Sequence, residues 1–184
     1  MNIAAQPPVQ ADQTIYLIDY QKPSFLVESI HLDIQVYDDH TLVDSTMVMK
    51  RQATGALVFL GRDLELKSIQ LNGQVLGAAQ YQLDSEQLVI IDAPDEVIVQ
   101  TQVIIHPESN TQLEGLYKAG DLFVTQNEPE GFRKITFYPD RPDVLSVFTT
   151  RVEADKKYPV LLANGNLLET GEVGEDRHFA IWQD

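Results

Sequence analysis

Acids crowd one stretch of this sequence. Between Thr111 and Arg151 (TQLEGLYKAGDLFVTQNEPEGFRKITFYPDRPDVLSVFTTR), Glu128, Glu130, Asp140 and Asp143 stand among three glycines, three prolines and several aromatics. Carboxylates in such a setting can exchange protons or receive an amine. The remaining chemistry-bearing residues offer less. The four histidines, His31, His40, His106 and His178, are scattered, with no His-Glu-x-x-His pair, so zinc is not expected on them and each reads as a solvated side chain. Cysteine is absent, which excludes disulfides, thiolate metal sites and cysteine nucleophiles. A Gly-x-Ser-x-Gly elbow, a phosphate loop and a dinucleotide fingerprint are all missing, and Gly171 and Gly174 have no helical pattern behind them.

The charge balance narrows the partners. Over 184 residues, 28 Asp and Glu face 13 Lys and Arg, a formal charge of -15. Nucleic acids and anionic membrane surfaces need a basic footprint, so neither is an expected partner, whereas a cationic or amine-bearing ligand is. With 43% hydrophobic residues along its length the chain is globular. The first thirty residues lack both a basic start and an apolar run, and nothing approaches the ~20 apolar residues of a membrane helix, so a cytoplasmic location is expected.

The elements that must position the acids have a period of two. From Ser29 to Tyr37, Ile30, Leu32, Ile34 and Val36 alternate with polar neighbours, and a return strand follows the Asp38-Asp39 turn over Leu42 to Arg51. Asn72-Gly73 predicts a tight hairpin with a primed turn, and Asn164-Gly165 is a second such pair between apolar runs. Gln87 to Ile91, Val97 to Ile105 and His178 to Trp182 read as further strands, the second stopped by His106-Pro107. The helical signal is confined to Asp140 to Leu145, where Asp140 could cap and Pro142 open a turn or two. The fold class is therefore all-β, an antiparallel sandwich or bent sheet with one short helix. Residues 1–12 read as a loose arm and 13–184 as a single domain. The Thr111 to Arg151 stretch, which lacks clean alternation, reads as a long ordered loop system, usually a sign of function. Within it Arg133, Arg141 and Asp140 are expected to form ion pairs that pin the loop. Phe132, Phe137, Tyr138 and Phe148 are expected to anchor it to the core, and Trp182 to pack.

Three segments resemble the N-terminal domain of bacterial aminopeptidase N, the zinc alanyl aminopeptidases: LEGLY at 113–117, TQNEPEGFRKITFYPDRPDVLSVFTTR at 125–151 and YPVLLANGN at 158–166. The resemblance extends to the final strand, His178 to Asp184. It implies a saddle-shaped β-sandwich that leans on a thermolysin-like catalytic domain and lends one loop to its active-site wall. In that loop Glu128 matches the glutamate that grips the substrate's free α-amino group, and Gln126 the glutamine lining the pocket for the first side chain. Asn127 matches no fixed position. Zinc is implied for the whole enzyme, with ligands, general base and transition-state tyrosine in later domains.

Two functions follow from this reading. In one, the chain is the N-terminal domain of a longer zinc aminopeptidase acting on peptide N-termini, inactive alone, with the downstream catalytic domain as its partner; an ending directly after a strand favours this. In the other it is a free-standing all-β module that binds an amine-bearing or protein partner. A Gly-x-Met-Glu-Asn followed by His-Glu-x-x-His beyond Asp184 would decide between them.

Overall fold

A computed structural model describes residues 16–184, so the arm expected at 1–12 lies outside the described residues. Thirteen strands run in order: β1 (Phe25–Val36), β2 (Thr41–Arg51), β3 (Leu57–Leu60), β4 (Glu65–Leu71), β5 (Gln74–Val75), β6 (Gln82–Leu83), β7 (Gln87–Ile90), β8 (Glu96–Ile105), β9 (Gly115–Ala119), β10 (Leu122–Gln126), β11 (Val147–Asp155), β12 (Asn166–Val173) and β13 (Arg177–Gln183). Eight form one sheet in the order β12-β13-β11-β1-β2-β8-β4-β5, β3-β7-β6 form a second, and β9 and β10 a hairpin of their own. The all-β class is as the alternation predicts. No helix among the described residues is long and apolar enough to cross a membrane.

The core lies against one face of the large sheet. Ile30 and Leu32 of β1, Val43 and Met47 of β2, and Val99 and Val103 of β8 meet Leu57 and Phe59 of β3 and Leu88 of β7 in a single cluster. Strand β1 feeds this face with odd positions first, Phe25 and Val27, and with even positions from Ile30 onward. A bulge at Glu28 makes the switch, since one extra residue flips the facing of all that follow. The hairpin at Asn72-Gly73 is realised: Leu71 pairs with Gln74, and φ is +51° at Asn72 and +77° at Gly73, as a primed turn requires.

Three expectations are corrected. The large sheet is mixed, because β1 and β11 pair in parallel with Asp33 opposite Arg151; alternation fixes which face is buried but not the direction of the neighbour. Residues 140–145 form a turn, closed by the Val144 N–H to the Arg141 carbonyl at 3.1 Å, and the two short helices described are 3-10 turns at Leu17–Asp19 and Phe132–Lys134. The cap is lost because the Asp140 carboxylate is taken by Arg133, and Asp143 pairs with Arg141. Asn164-Gly165 is no strand-to-strand turn: only β12 follows it directly, and a Cβ on Gly165 would lie 1.9 Å from the Gln183 carbonyl oxygen.

On the sheet face away from the core, charge is used for cohesion. Arg151 bonds Asp33 at 2.8 Å and Glu153 at 2.6 Å, and Arg177 bonds the other Glu153 oxygen at 2.6 Å. The two guanidinium groups lie over the Phe179 and Tyr37 rings, 4.7 and 4.3 Å from their centroids. Burial pushes the Glu153 carboxyl upward, yet the hydrogen bonds from Arg177 and Arg151 outweigh it and hold the group below its ordinary value.

Candidate functional site

The stretch expected to be one long loop contains a hairpin. Strands β9 and β10 pair from Ala119 with Leu122 to Gly115 with Gln126, joined by Gly120-Asp121, where φ of +62° at Gly120 serves the tight turn. The hairpin delivers Gln126, its last residue, to the start of a short loop. Residues 127–131 then fold back on themselves, the Gly131 N–H donating to the Asn127 carbonyl at 2.8 Å. Gln126 reaches into the same loop, its Nε2 donating to the backbone carbonyl of Glu128 at 2.9 Å. The Glu128-Pro129 peptide is cis.

Glycine is required at the loop's end for space. A Cβ on Gly131 would sit 2.2 Å from the Gln126 carbonyl oxygen and 2.9 Å from the Gly115 nitrogen, so the loop is pressed against the base of the hairpin. Beyond it the 3-10 turn fastens everything to the body. Its Arg133 donates from its backbone N–H and its guanidinium to Asp140, at 3.1 and 3.0 Å, and Lys134 is buried with its ammonium on Asp63 at 2.8 Å and on Gln112. Phe132 packs edge-on against Tyr138 and Phe148, with centroids 5.0 and 5.8 Å away. Phe137 and Tyr138 are core residues. The aromatic anchoring is as expected; of the ion pairs, Arg133 takes Asp140 while Arg141 takes Asp143. Trp182 packs as well, with its indole nitrogen buried.

Gln126 and Glu128 are thus brought together, both exposed on one loop. The two glutamates flanking Pro129 differ. Glu130 lies 3.3 Å from the Arg133 guanidinium, whereas among the described residues no cation stands within ion-pairing distance of Glu128. A carboxylate so placed can accept a charge-assisted hydrogen bond from an incoming cation. Arg133 is the loop-pinning residue the sequence led one to expect, whereas Gly131 was given no role there. The Gly-Phe-Arg triplet directly after the acids carried the signal, a residue that permits close approach followed by one that can pin it.

Metal chemistry finds no purchase on these side chains. Among the described residues no three of His, Asp and Glu gather where they could hold an ion. His40 stacks on Tyr37 at 4.8 Å, and His178 is bonded through Nε2 to the Tyr158 carbonyl at 2.8 Å. A zinc ion does not fit the described residues.

The fold and the site together define a β-sandwich that presents an acidic loop backed by the β9–β10 hairpin and a 3-10 turn. The chain belongs to the Peptidase M1 N-terminal domain family, which matches residues 20–184. It is 44% identical over 176 residues to aminopeptidase N of Caulobacter vibrioides, and 40% over 178 residues to aminopeptidase N of Escherichia coli K12. These alignments take in 94% and 95% of the chain but only 20% of either relative, so the chain spans about one fifth of their length. Among solved structures, Legionella pneumophila aminopeptidase A in complex with aspartic acid superposes with a TM-score of 0.85 at 28% identity, over 91% of this chain and 20% of that one. An M1 zinc metallopeptidase of Deinococcus radiodurans bound to a Tyr-Ser-Ala substrate shares the fold, with a TM-score of 0.73 at 16% identity over 87% of this chain and 39% of that one.

Proposed function

We propose that the chain, with residues 13–184 acting as one unit, is the amine-recognising domain of a zinc aminopeptidase. Glu128 anchors the substrate's α-ammonium and Gln126 shapes the pocket for the first side chain. Zinc and the bond-breaking groups come from the rest of the polypeptide, and none of the chemistry runs through this chain. The observation that carries the reading is the Glu128 carboxylate itself, exposed and, among the described residues, without a cationic neighbour, on a loop whose backbone is closed and backed. The aminopeptidase names of the relatives support it.

A peptide's free terminus has a reference pKa of about 7.7 to 8.0, so much of it is an ammonium near neutral pH. Glu128 can accept a hydrogen bond from that ammonium but not from an acylated terminus in the same way, which restricts cleavage to the end of a peptide. The contribution is placement of the scissile bond relative to a centre held elsewhere. A net charge of -15 adds a favourable field for cationic termini.

The test is Glu128→Gln in the full-length enzyme, with free and N-acetylated peptides compared. A charged hydrogen bond contributes about 1.5 to 3 kcal/mol, so kcat/KM for free peptides should fall by roughly one to two orders of magnitude while zinc content and Tm hold. An unchanged preference for the free amine would make Glu128 an ordinary surface acid.

A further inference from the structure

We infer that Arg133 is a positioning residue for the amine anchor, holding the neighbouring acid Glu130 away from the ligand and helping to fix the exit of the loop so that Glu128 alone faces it. The inference rests on the amine-anchor reading of Glu128.

Consider first what holds the two ends of the five-residue loop. Its entry is fixed by Gln126, through the end of β10 and the Nε2 bond to the Glu128 carbonyl at 2.9 Å. Its exit is fixed by the 3-10 turn, where Phe132 and Lys134 pack into the body and Arg133 also reaches an acid of the loop. The Arg133 guanidinium lies 3.3 Å from Glu130, 3.0 Å from the Asp140 carboxylate and 3.1 Å from the Asp140 backbone carbonyl. Its own carbonyl accepts the Arg62 N–H at 2.9 Å, which ties the turn to the segment after β3. Both Arg133 and Asp140 keep only 11% of their side chains exposed, while Glu130 keeps 62%. The arginine is therefore a buried post anchored on Asp140, with one face turned to an exposed surface acid.

The chemistry of the site gives that face a purpose. Glu128 and Glu130 flank a single proline and carry the same charge, so an ammonium arriving at the loop could be taken by either. A terminus held by Glu130 would be displaced along the backbone, and a displacement of about 1 Å can cost two orders of magnitude in rate. Committing Glu130 to a guanidinium removes that competitor, because a planar fork fixed at a second carboxylate offers its remaining donors in a defined direction. A lysine at this position would keep the charge but could not bridge Asp140 and Glu130 with the same geometry.

The experiment uses the full-length enzyme and reads Ki for a free aminoacyl amide against its N-acetyl counterpart, competing with a chromogenic aminoacyl substrate. Arg133→Lys should reduce the ratio of the two affinities by about threefold to tenfold, acting through KM more than kcat. The same change placed on Glu128→Gln should have no further effect on the ratio, since a residue acting through Glu128 has nothing left to position. Glu130→Gln, an exposed change that does not threaten folding, should move the ratio in the same direction by less if the fixed exit matters. In the Arg133→Lys background it should restore part of the loss by neutralising the competitor. A shift of equal size with and without Glu128, or none in either single variant while Glu128→Gln still acts, overturns this inference and leaves the anchor standing. No response to Glu128→Gln itself overturns both.

Discussion

Two regions of the molecule use carboxylates in opposite ways. On the outer face of the large sheet, Glu153 shares its two oxygens between Arg151 and Arg177, and Arg151 also holds Asp33, each contact within 2.8 Å. In the loop after β10, Glu128 stands exposed without one among the described residues. The first arrangement lowers the free energy of the folded chain and leaves nothing over for a ligand. The second leaves the cost of desolvating and pairing the acid to be met by whatever cation arrives. The difference teaches that an acid's availability is read from its neighbours: the same residue type is cement when paired and open to an incoming cation when bare.

The contrast can be broken most severely at Gly131. Gly131→Ala places a methyl group where the Gln126 carbonyl oxygen is only 2.2 Å away, so the loop must move off the hairpin. In the full-length enzyme kcat/KM should fall by about 100-fold, with circular dichroism of the sheet unaltered. Retention of full activity would show that the loop's placement does not matter.

Glu153→Gln probes the other region. It leaves two half-buried guanidinium groups with a neutral partner, which should lower stability by about 2 kcal/mol, roughly 4 to 8 °C in Tm for a chain this size. Preference for the free amine should not change. The pH dependence has a definite sign: the folded Glu153 carboxyl titrates below its ordinary 4.5, so its stabilisation is complete above that value and is lost as pH falls through the lower, folded one. Thermal unfolding followed downward from neutral pH should show a steeper acid loss for the parent chain than for Glu153→Gln. Parallel curves would remove Glu153 from the account.

Gln126→Ala sharpens the comparison with the smallest effect. It deletes one neutral hydrogen bond to the Glu128 carbonyl, worth about 0.5 to 1.5 kcal/mol, so kcat/KM on the best substrate should drop by roughly twofold to tenfold. Its larger signature should be a changed ranking of first residues across a substrate panel. An identical ranking would leave Gln126 with its loop contact only.

Much of the architecture was legible because strand facing follows from alternation, as Ile30, Leu32 and Val36 show, and because Asn72-Gly73 dictates its own turn. What alternation cannot carry is partner and direction. The parallel contact of β1 with β11 depends on residues such as Asp33 and Arg151, 118 positions apart, that no local window joins. The helix expected at 140–145 failed for a different reason: Asp140 was claimed by Arg133, only seven residues away, and the cap lost to an ion pair that the same stretch also offered. At the site, the acids were visible as acids. Which of Glu128 and Glu130 stays bare became visible only once the chain had turned back to bring Arg133 beside one of them.

That parallel pairing has a consequence for how the chain comes into being. Strand β1 lies at the centre of the large sheet, yet the neighbour on one of its sides is made only after Val147. A nascent chain emerging from the ribosome must hold β1 with one edge open while some hundred further residues are synthesised, and contacts of such long span are the slow ones to form. The loop bearing Glu128 is made before the strand that completes the pairing of β1, so its hairpin and its ion pairs are available while the large sheet is still open. Any arrest of synthesis short of β11 would release a polypeptide whose central strand is an edge, open to pairing with a stranger.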